Sequence, residues 1–106
     1  MTTIDMRSKV VTLINVFTVE PVHQQQLVDL LIEMTEMVMK KQPGYVSANI
    51  HKSLDGTRVT NYAQWSSREA FEAISRNPAV APHMKAVTQL AHADYHLYEV
   101  VFTDQV

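Results

Sequence analysis

Apolar and polar positions change period along the chain, and these changes predict a succession of strands and helices. A run rich in β-branched residues from Val10 to Val19 predicts a first strand that ends before Pro21, a residue that suits a first helical turn. From Leu27 onward the apolar residues recur three, four, seven and eleven positions later, which is typical of an amphipathic helix. We expect this helix to run into Lys40-Lys41 and to stop at Pro43-Gly44.

The middle of the chain predicts a β-hairpin and a second helix. Strands from Tyr45 to Ser53 and from Thr57 to Trp65 flank Asp55-Gly56, which is a strong hairpin turn signal. Ser66 then begins a helix with a Ser-x-x-Glu capping box that ends in Glu69. The two strands and the helix therefore follow one another with short connections.

A short helix and a last strand complete the predicted fold. The helix runs from about Pro82 to Ala91, after prolines that interrupt this region, and the strand runs from Asp94 to Phe102. The order strand, helix, strand, strand, helix, strand is that of a ferredoxin-like βαββαβ unit, an α+β fold with a four-stranded antiparallel sheet. At 106 residues the chain has the length of one domain.

The first and last strands carry apolar side chains on both faces. Leu13 and Phe17 alternate with Ile14 and Val16 in the first strand, and the last strand alternates in the same way over Leu97, Val100, Val101 and Phe102. Since the helices of such a fold cover only one face of the sheet, the second face needs another cover. We infer a homodimer that packs sheet on sheet about a twofold axis.

The hairpin turn sets which residues of its two strands lie opposite one another. The expected pairs, in order from the turn, are Ser53 with Arg58, Ile50 with Asn61, Ala48 with Ala63 and Val46 with Trp65. Side chains alternate along a strand, so one face collects the apolar members of these pairs together with Asn61.

Asn61 is the one polar side chain on that apolar, helix-facing side. Without a partner it would cost about 1–3 kcal/mol, so it must bond to something. The small Ala63 leaves room for a flat molecule between Asn61 and Trp65, which lie roughly 13 Å apart along the strand. The alternative is a core tryptophan and an asparagine that bonds a neighbour. Asn15 poses the same choice: a second polar group under the helices, or a contact at a strand end or dimer interface.

Composition excludes several kinds of partner and site. The net charge of −2 arises from nine basic and eleven acidic residues with no basic stripe, so nucleic acid is not an expected partner. The absence of cysteine removes disulfides and thiolate chemistry. No stretch has the length of a membrane span and the N-terminus lacks the apolar run of a signal peptide, so we expect a cytoplasmic protein without a membrane partner.

The five histidines form no chelating motif, so no metal site is predicted. His83, at the start of the last helix, either points over the sheet toward Asn61 or is an exposed first-turn residue. The space on the helix-facing side of the sheet would then be lined by the carboxamides of Asn61 and Asn15 and by the indole N–H of Trp65. If His83 points inward, an imidazole is added. Such groups suit chemistry in which the substrate carries the reactivity, while the protein orients it, stabilises a developing anion and excludes water.

Three stretches resemble the antibiotic biosynthesis monooxygenase family of dimeric α+β barrels. They are LINVF from Leu13, PGY from Pro43 and, after the hairpin turn, VTNYAQW from Val59, and the likeness extends from about Val10 to Phe102. The resemblance implies one domain over residues 1–106, with its core at about 10–102, that forms a homodimer. It also implies a monooxygenase without a cofactor that oxidises an anthrone- or quinol-like aromatic to a quinone, because the electron-rich aromatic reduces O₂ directly.

The resemblance also assigns roles to individual residues. Asn61 and Trp65 match the catalytic amide and indole that bind the substrate, help to deprotonate it and steady the oxygen adduct. The implied substrate-binding positions are Asn15, Ala63, Phe71, His83 and Met84. The actinorhodin-pathway type has a tyrosine at the place of Phe71 and an arginine near Met84, so a proton relay through these two positions is not expected here.

Two alternatives stay open. Haem-degrading enzymes of the same superfamily use a histidine near His83 as axial ligand, together with a tryptophan whose place is held here by Ile74. A haem-binding or haem-degrading monooxygenase is the second hypothesis, although Ile74 in the place of the tryptophan argues against haem cleavage. The third is a non-catalytic dimer that binds a small aromatic molecule.

Overall fold

One face of the sheet is covered by helices, and the other carries only the N-terminal segment. In the computed structural model, which describes residues 1–106, the elements are β1 (Val11–Val19), α1 (Gln24–Met37), β2 (Tyr45–Lys52), β3 (Arg58–Trp65), α2 (Arg68–Glu72), α3 (Ala81–Leu90) and β4 (Ala91–Tyr98). Short 3-10 turns occupy Pro21–His23, Met39–Lys41 and Ala73–Arg76. All neighbouring strands pair antiparallel in the order β2-β3-β1-β4, so the predicted ferredoxin-like fold is confirmed.

Helix α1 supplies the centre of the core because its apolar positions share one side. Leu27, Leu31 and Met34 are buried, at the spacing of successive turns on one helical face. They belong to the same apolar cluster as Phe17 and Val59 of the two central strands. A second cluster of Leu13, Ala63 and Trp65 lies nearer the other end of the sheet, packed against Phe71 and Ile74.

Three predicted boundaries are wrong. Helix α1 ends at Met37, before a separate 3-10 turn at Met39–Lys41, and does not run into Lys40-Lys41. The N-cap of α2 is Ser67, not Ser66, and the Ser67 hydroxyl accepts a hydrogen bond from the backbone N–H of Ala70 at 3.0 Å. Strand β4 spans Ala91–Tyr98 instead of running from Asp94 to Phe102. Tyr98 already lies opposite Thr12, next to the first residue of β1, so the later residues have no strand to pair with. The apolar side chain of Phe102 is 74% exposed as a result.

The predicted hairpin register holds near the turn and fails at its far end. Ile50 lies opposite Asn61 and Ala48 opposite Ala63, as expected. A β-bulge then intervenes, so that Tyr45 lies opposite Trp65 and Val46 is displaced and 46% exposed. The rings of Tyr45 and Trp65 meet edge to face with centroids 5.7 Å apart. The bulge therefore exchanges a valine for an aromatic ring beside the tryptophan.

The outer face of the sheet is partly covered by the N-terminal segment. Asn49 donates its amide N–H to the Thr2 hydroxyl at 2.6 Å, and Gln64 donates to the Thr3 carbonyl at 2.8 Å. Gln64 is consequently buried although it faces away from the helices. None of the helices has the length and apolar character that crossing a membrane requires. The sheet-on-sheet homodimer stays a prediction.

Candidate functional site

A cavity of about 400 Å³ lies between the helix-facing side of the sheet and the helices. Its floor comes from β1, β3 and β4, and its walls come from α1, α3 and the segment that contains α2. Most of its lining is apolar, and the lining residues are Leu13, Asn15, Phe17, Leu31, Met34, Met39, Asn61, Phe71, Glu72, Ile74, Ser75, Arg76, Val80, Met84, Ala93 and Tyr95. A volume of this size suits a small organic ligand.

Two asparagines lie side by side on the cavity floor. Asn15 of β1 and Asn61 of β3 are directly opposite one another in the sheet. The carboxamide oxygen of each is buried and has no hydrogen-bond partner. The structure therefore places Asn15 under the helices, not at a strand end, and pairs it with Asn61.

The sequence around each asparagine explains why the pair points inward. Leu13 and Phe17 flank Asn15 in the alternating pattern of β1, and both are buried. Val59 and Ala63 flank Asn61 in the same way on β3. Burying these apolar neighbours forces the intervening side chains onto the same face. Each unmet oxygen costs about 1–3 kcal/mol, so the pair is a costly feature for a protein without a ligand.

A smaller compartment of about 40 Å³ adjoins the large cavity and shares six lining residues with it, among them Asn61. Trp65, Ala63, Ala48 and Tyr45 line it, and none of these four residues lines the large cavity. Asn61 lines both spaces. A benzene molecule occupies a cavity of about 150 Å³, so the space above Ala63 is too small for an aromatic ring.

The larger of the two spaces lies next to the predicted position of a flat ligand. The sequence predicts the ligand between Asn61 and Trp65, but the space large enough for it lies beside Asn15 and Asn61. Trp65 and Ala63, predicted as catalytic and substrate-binding residues, face the small compartment instead. Their roles stay predictions, and their position separates them from the large cavity.

Aromatic rings link the two compartments. Trp65 and Phe71 meet edge to face with centroids 6.1 Å apart, and Phe71 meets Tyr95 in the same way at 5.7 Å. Phe71 and Tyr95 both line the large cavity, where flat rings can contact an aromatic ligand. Tyr95 is absent from the predicted site residues. The signal for it is the alternation of Ala93, Tyr95 and Leu97 on the inner face of β4.

Three polar residues form the mouth of the large cavity. They are Glu72, Ser75 and Arg76, and the two charged ones are the only ionised side chains in its lining. The Glu72 carboxylate accepts a hydrogen bond from Arg68 at 2.7 Å, whereas Arg76 takes part in none of the ion pairs of the chain. A guanidinium without a carboxylate partner therefore stands at the entrance.

The remaining predicted residues divide between the site and the surface. Phe71 and Met84 line the large cavity, as does Ile74, but His83 lines neither compartment. His83 is half-buried on the first turn of α3, so the structure does not bring it to Asn61. No three histidine, aspartate or glutamate side chains converge as a metal-binding group. Burial raises the pKa of the Tyr45 hydroxyl, which keeps that residue protonated beside Trp65.

Comparisons with known proteins agree on one family. A family model described as antibiotic biosynthesis monooxygenase matches residues 10–87. The tetracenomycin-F1 monooxygenase of Streptomyces glaucescens is 45% identical over 83 residues, which are 78% of this chain and 74% of that protein.

Two solved structures from other streptomycetes have the same fold. A monooxygenase from the ActVA-Orf6 gene of Streptomyces coelicolor, in complex with the ligand Nanaomycin D, is 29% identical with a TM-score of 0.74 over 95% of this chain and 96% of that one. SnoaB, a cofactor-independent oxygenase from Streptomyces nogalater, is 25% identical with a TM-score of 0.76 over 91% of this chain and 97% of that one.

Proposed function

This chain belongs to the antibiotic biosynthesis monooxygenase family. We propose that it binds a polycyclic, anthrone- or quinol-like aromatic in its large cavity and oxidises it to a quinone with O₂. The chain is a monooxygenase, and the proposal concerns its substrate and the residues that act on it. The observation that carries the proposal is the pair of unpartnered carboxamides, Asn15 and Asn61, on the floor of an apolar cavity of about 400 Å³.

The reaction balances without a cofactor when the substrate is an anthrone. A methylene group, R₂CH₂, and one O₂ molecule give R₂C=O and H₂O. One oxygen atom becomes the new carbonyl, and the other leaves as water with the two methylene hydrogens. The methylene carbon supplies all the electrons that O₂ takes up, so no separate reductant is needed.

The carboxamides of Asn15 and Asn61 supply what this reaction needs from a protein. Loss of the first proton to solvent leaves an anion whose charge spreads by conjugation onto the carbonyl oxygen on the opposite side of the central ring. An amide N–H donates to such an oxygen more strongly in an apolar, water-poor cavity than in water. The amide oxygens, which lack partners in the chain, can accept from a phenolic O–H of the same substrate. Both groups are held on strands, so they are oriented before the substrate binds.

The shape and rim of the cavity favour a polycyclic substrate that carries an anionic or phenolic group. The apolar floor and the rings of Phe71 and Tyr95 provide contact area for fused aromatic rings. Arg76, unpaired at the mouth, can bind a carboxylate or phenolate at the outer end of the same molecule. One relative is named for tetracenomycin F1, and another was solved with the ligand Nanaomycin D. Both names support an organic substrate that fills the large cavity.

We further propose that the active protein is a homodimer. The centre of the outer sheet face carries Ile14 and Val16, which are only half-buried in one chain although they sit on the central strand. A second copy packed on this face would remove both from water. Light scattering on the purified protein measures the mass, and a monomer at micromolar concentration would contradict this proposal.

Oxygen consumption by purified protein tests the proposed function directly. Anthrones and quinols are offered in air-saturated buffer that contains a metal chelator, and uptake of O₂ and formation of quinone are followed together. We expect turnover that stops when O₂ is removed and falls sharply in Asn61→Ala and Trp65→Phe. If no anthrone or quinol in the panel causes O₂ uptake, the proposed substrate class is wrong.

No observation favours the haem alternative, because His83 lines neither compartment. A haem titration of wild type and His83→Ala provides the check. A Soret shift in wild type that disappears in the variant would revive that hypothesis.

A further inference from the structure

We propose that the compartment of about 40 Å³ is a separate binding site for O₂, filled while the aromatic substrate occupies the larger cavity. This inference rests on the proposed function, because it concerns the second reactant of the same reaction. It gives Trp65 and Ala63 a place in the chemistry even though neither lines the large cavity.

The size of the compartment suits a diatomic molecule. Its floor is formed by Ala48 and Ala63, which lie directly opposite one another on β2 and β3. A cavity needs about 10–15 Å³ to hold one water molecule and about 150 Å³ to hold benzene, so a space of about 40 Å³ accepts a diatomic molecule and rejects a ring. Larger side chains at the two alanine positions would fill it.

The lining of the compartment is mostly apolar, which suits O₂. Ten of the twelve lining residues are hydrophobic. The Thr35 hydroxyl already donates to the Leu31 carbonyl at 2.8 Å. The Asn61 carboxamide oxygen has no partner in the chain, and the Trp65 indole adds an N–H to the same space. Apolar cavities of proteins bind apolar atoms such as xenon, and the few polar groups here can act on oxygen once it carries charge.

The position of the compartment suits electron transfer from the substrate. Asn61 lines both spaces, so a molecule in either one touches the same side chain. When the substrate anion gives one electron to O₂, it becomes a radical and O₂ becomes superoxide. The new C–O bond forms when these two recombine, and the protonated peroxide then loses water, which breaks its O–O bond and leaves the carbonyl. The Trp65 indole and the Asn61 amide lie where N–H donors can stabilise the negative charge as it moves onto oxygen.

A matched pair of alanines separates this site from the aromatic site. Ala48 lines only the small compartment, and Ala93 lines only the large cavity. Both are half-buried residues of outer strands, so valine suits either backbone position. Ala48→Val should lower kcat/KM for O₂ by about tenfold, the lower end of the effect of one methylene group in an apolar pocket. Its anaerobic Kd for the aromatic substrate should stay unchanged.

Ala93→Val is the control and should do the opposite. Binding of the aromatic substrate weakens in this variant, whereas O₂ still enters the small compartment, which Ala93 does not line. If Ala48→Val folds and leaves kcat/KM for O₂ unchanged, O₂ does not use this compartment. That outcome leaves the proposed function standing, because turnover itself continues.

A direct measurement of O₂ needs no turnover. The chain has a single tryptophan, so labelling with 5-fluorotryptophan gives one ¹⁹F signal, at Trp65. Paramagnetic O₂ inside the compartment shortens the relaxation time of this nucleus in proportion to O₂ pressure. We expect strong enhancement in the wild type and in Ala93→Val, and its loss in Ala48→Val. Enhancement no greater than that of a solvent-shielded fluorine in a protein without a cavity, or equal enhancement in all three proteins, would overturn the inference.

Discussion

Replacing Asn61 with leucine should stabilise the substrate-free protein. The carboxamide oxygen of Asn61 is buried without a partner, and its neighbours on the same face, Val59 and Ala63, are buried apolar side chains. Leucine has the same number of side-chain heavy atoms with the same branching and no polar atom, and the cavity beside Asn61 has room for its larger methyl groups. Leucine therefore removes an unmet hydrogen bond without opening a new cavity.

The size of the effect follows from the cost of burying an unpaired polar group. That cost is about 1–3 kcal/mol, so the free energy of unfolding should rise by about 1–3 kcal/mol in Asn61→Leu. In a domain of this size each kcal/mol moves the melting temperature by roughly 4–8 °C, so we expect a rise of at least about 4 °C. Asn15→Leu should behave alike, although the two gains need not add because the residues are neighbours.

Urea and thermal unfolding of the substrate-free variants measure these changes, with Asn49→Leu as the control. The Asn49 amide donates to the Thr2 hydroxyl at 2.6 Å and to the Tyr62 carbonyl at 2.9 Å, so the control should lose stability. Asn61→Leu should gain stability while it loses O₂ consumption. If it loses about 1 kcal/mol or more of stability instead, the carboxamide has a structural partner and does not wait for a ligand.

Three further predictions concern the cavity mouth, a tight turn and the hairpin loop. Arg76→Ala should lower kcat/KM about tenfold for a substrate that bears a carboxylate. Arg58 lines neither compartment, so Arg58→Ala should leave kcat/KM for this substrate unchanged. An equal loss with a neutral substrate would contradict the proposed role of Arg76. Gly44→Ala should lower the free energy of unfolding in urea more than Gly56→Ala does. Both glycines have positive φ (+87° and +83°), but an added Cβ at Gly44 meets Ala70 and Ser66, while at Gly56 it meets only Pro21 at 3.6 Å. Equal losses of stability would contradict this prediction. Hydrogen bonds from Thr57, and to a smaller extent from Ser53, lower the pKa of the Asp55 carboxyl from 3.8 to about 2. The stability that these hydrogen bonds contribute is therefore complete above about pH 4 and is lost as the pH falls through about 2. Thr57→Val should raise the NMR titration midpoint of this carboxyl, and an unchanged midpoint would refute the assignment.

Local signals in the sequence predict most of the fold and the inward direction of two side chains, Asn61 and Ala63. The change of period from two to 3.6 separates strands from helices, and Asp55-Gly56 sets the pairing of Ile50 with Asn61. Both signals act over a few residues, so they do not depend on how distant elements pack. They were sufficient to put Asn61 and Ala63 on the helix-facing side of β3.

The β-bulge next to Tyr45 could not be predicted from alternation, because it breaks the alternation. No glycine lies within the bulged segment, so it lacks a local sequence signal. What accompanies it is tertiary: Gly44 approaches Ala70 and Ser66, and its carbonyl accepts from the Ser66 N–H at 2.7 Å. With this contact made, the Tyr45 ring packs on Trp65, and Val46 turns outward.

The sequence leaves the direction of the His83 side chain open because the phase of α3 depends on where that helix begins. Val80, Met84 and Val87 face inward, at the spacing of one helical face. Each residue turns the helix by about 100°, so His83 points well to the side of Met84. Proline at its start marks the helix but leaves its rotation undetermined until it packs against α1 and the sheet.

The pairing of Asn15 with Asn61 shows why the centre of the site lay beyond the reach of sequence patterns. The two strands are separated by a helix and another strand, so no turn sets their register. The register depends on burying Leu13 against Ala63 and Phe17 against Val59, which are opposite pairs in the sheet. A shift of β1 by two residues would keep its apolar face inward and leave the asparagines apart. The packing of the core therefore selects the one register that brings both carboxamides to the same place, and the proposed substrate site depends on that packing.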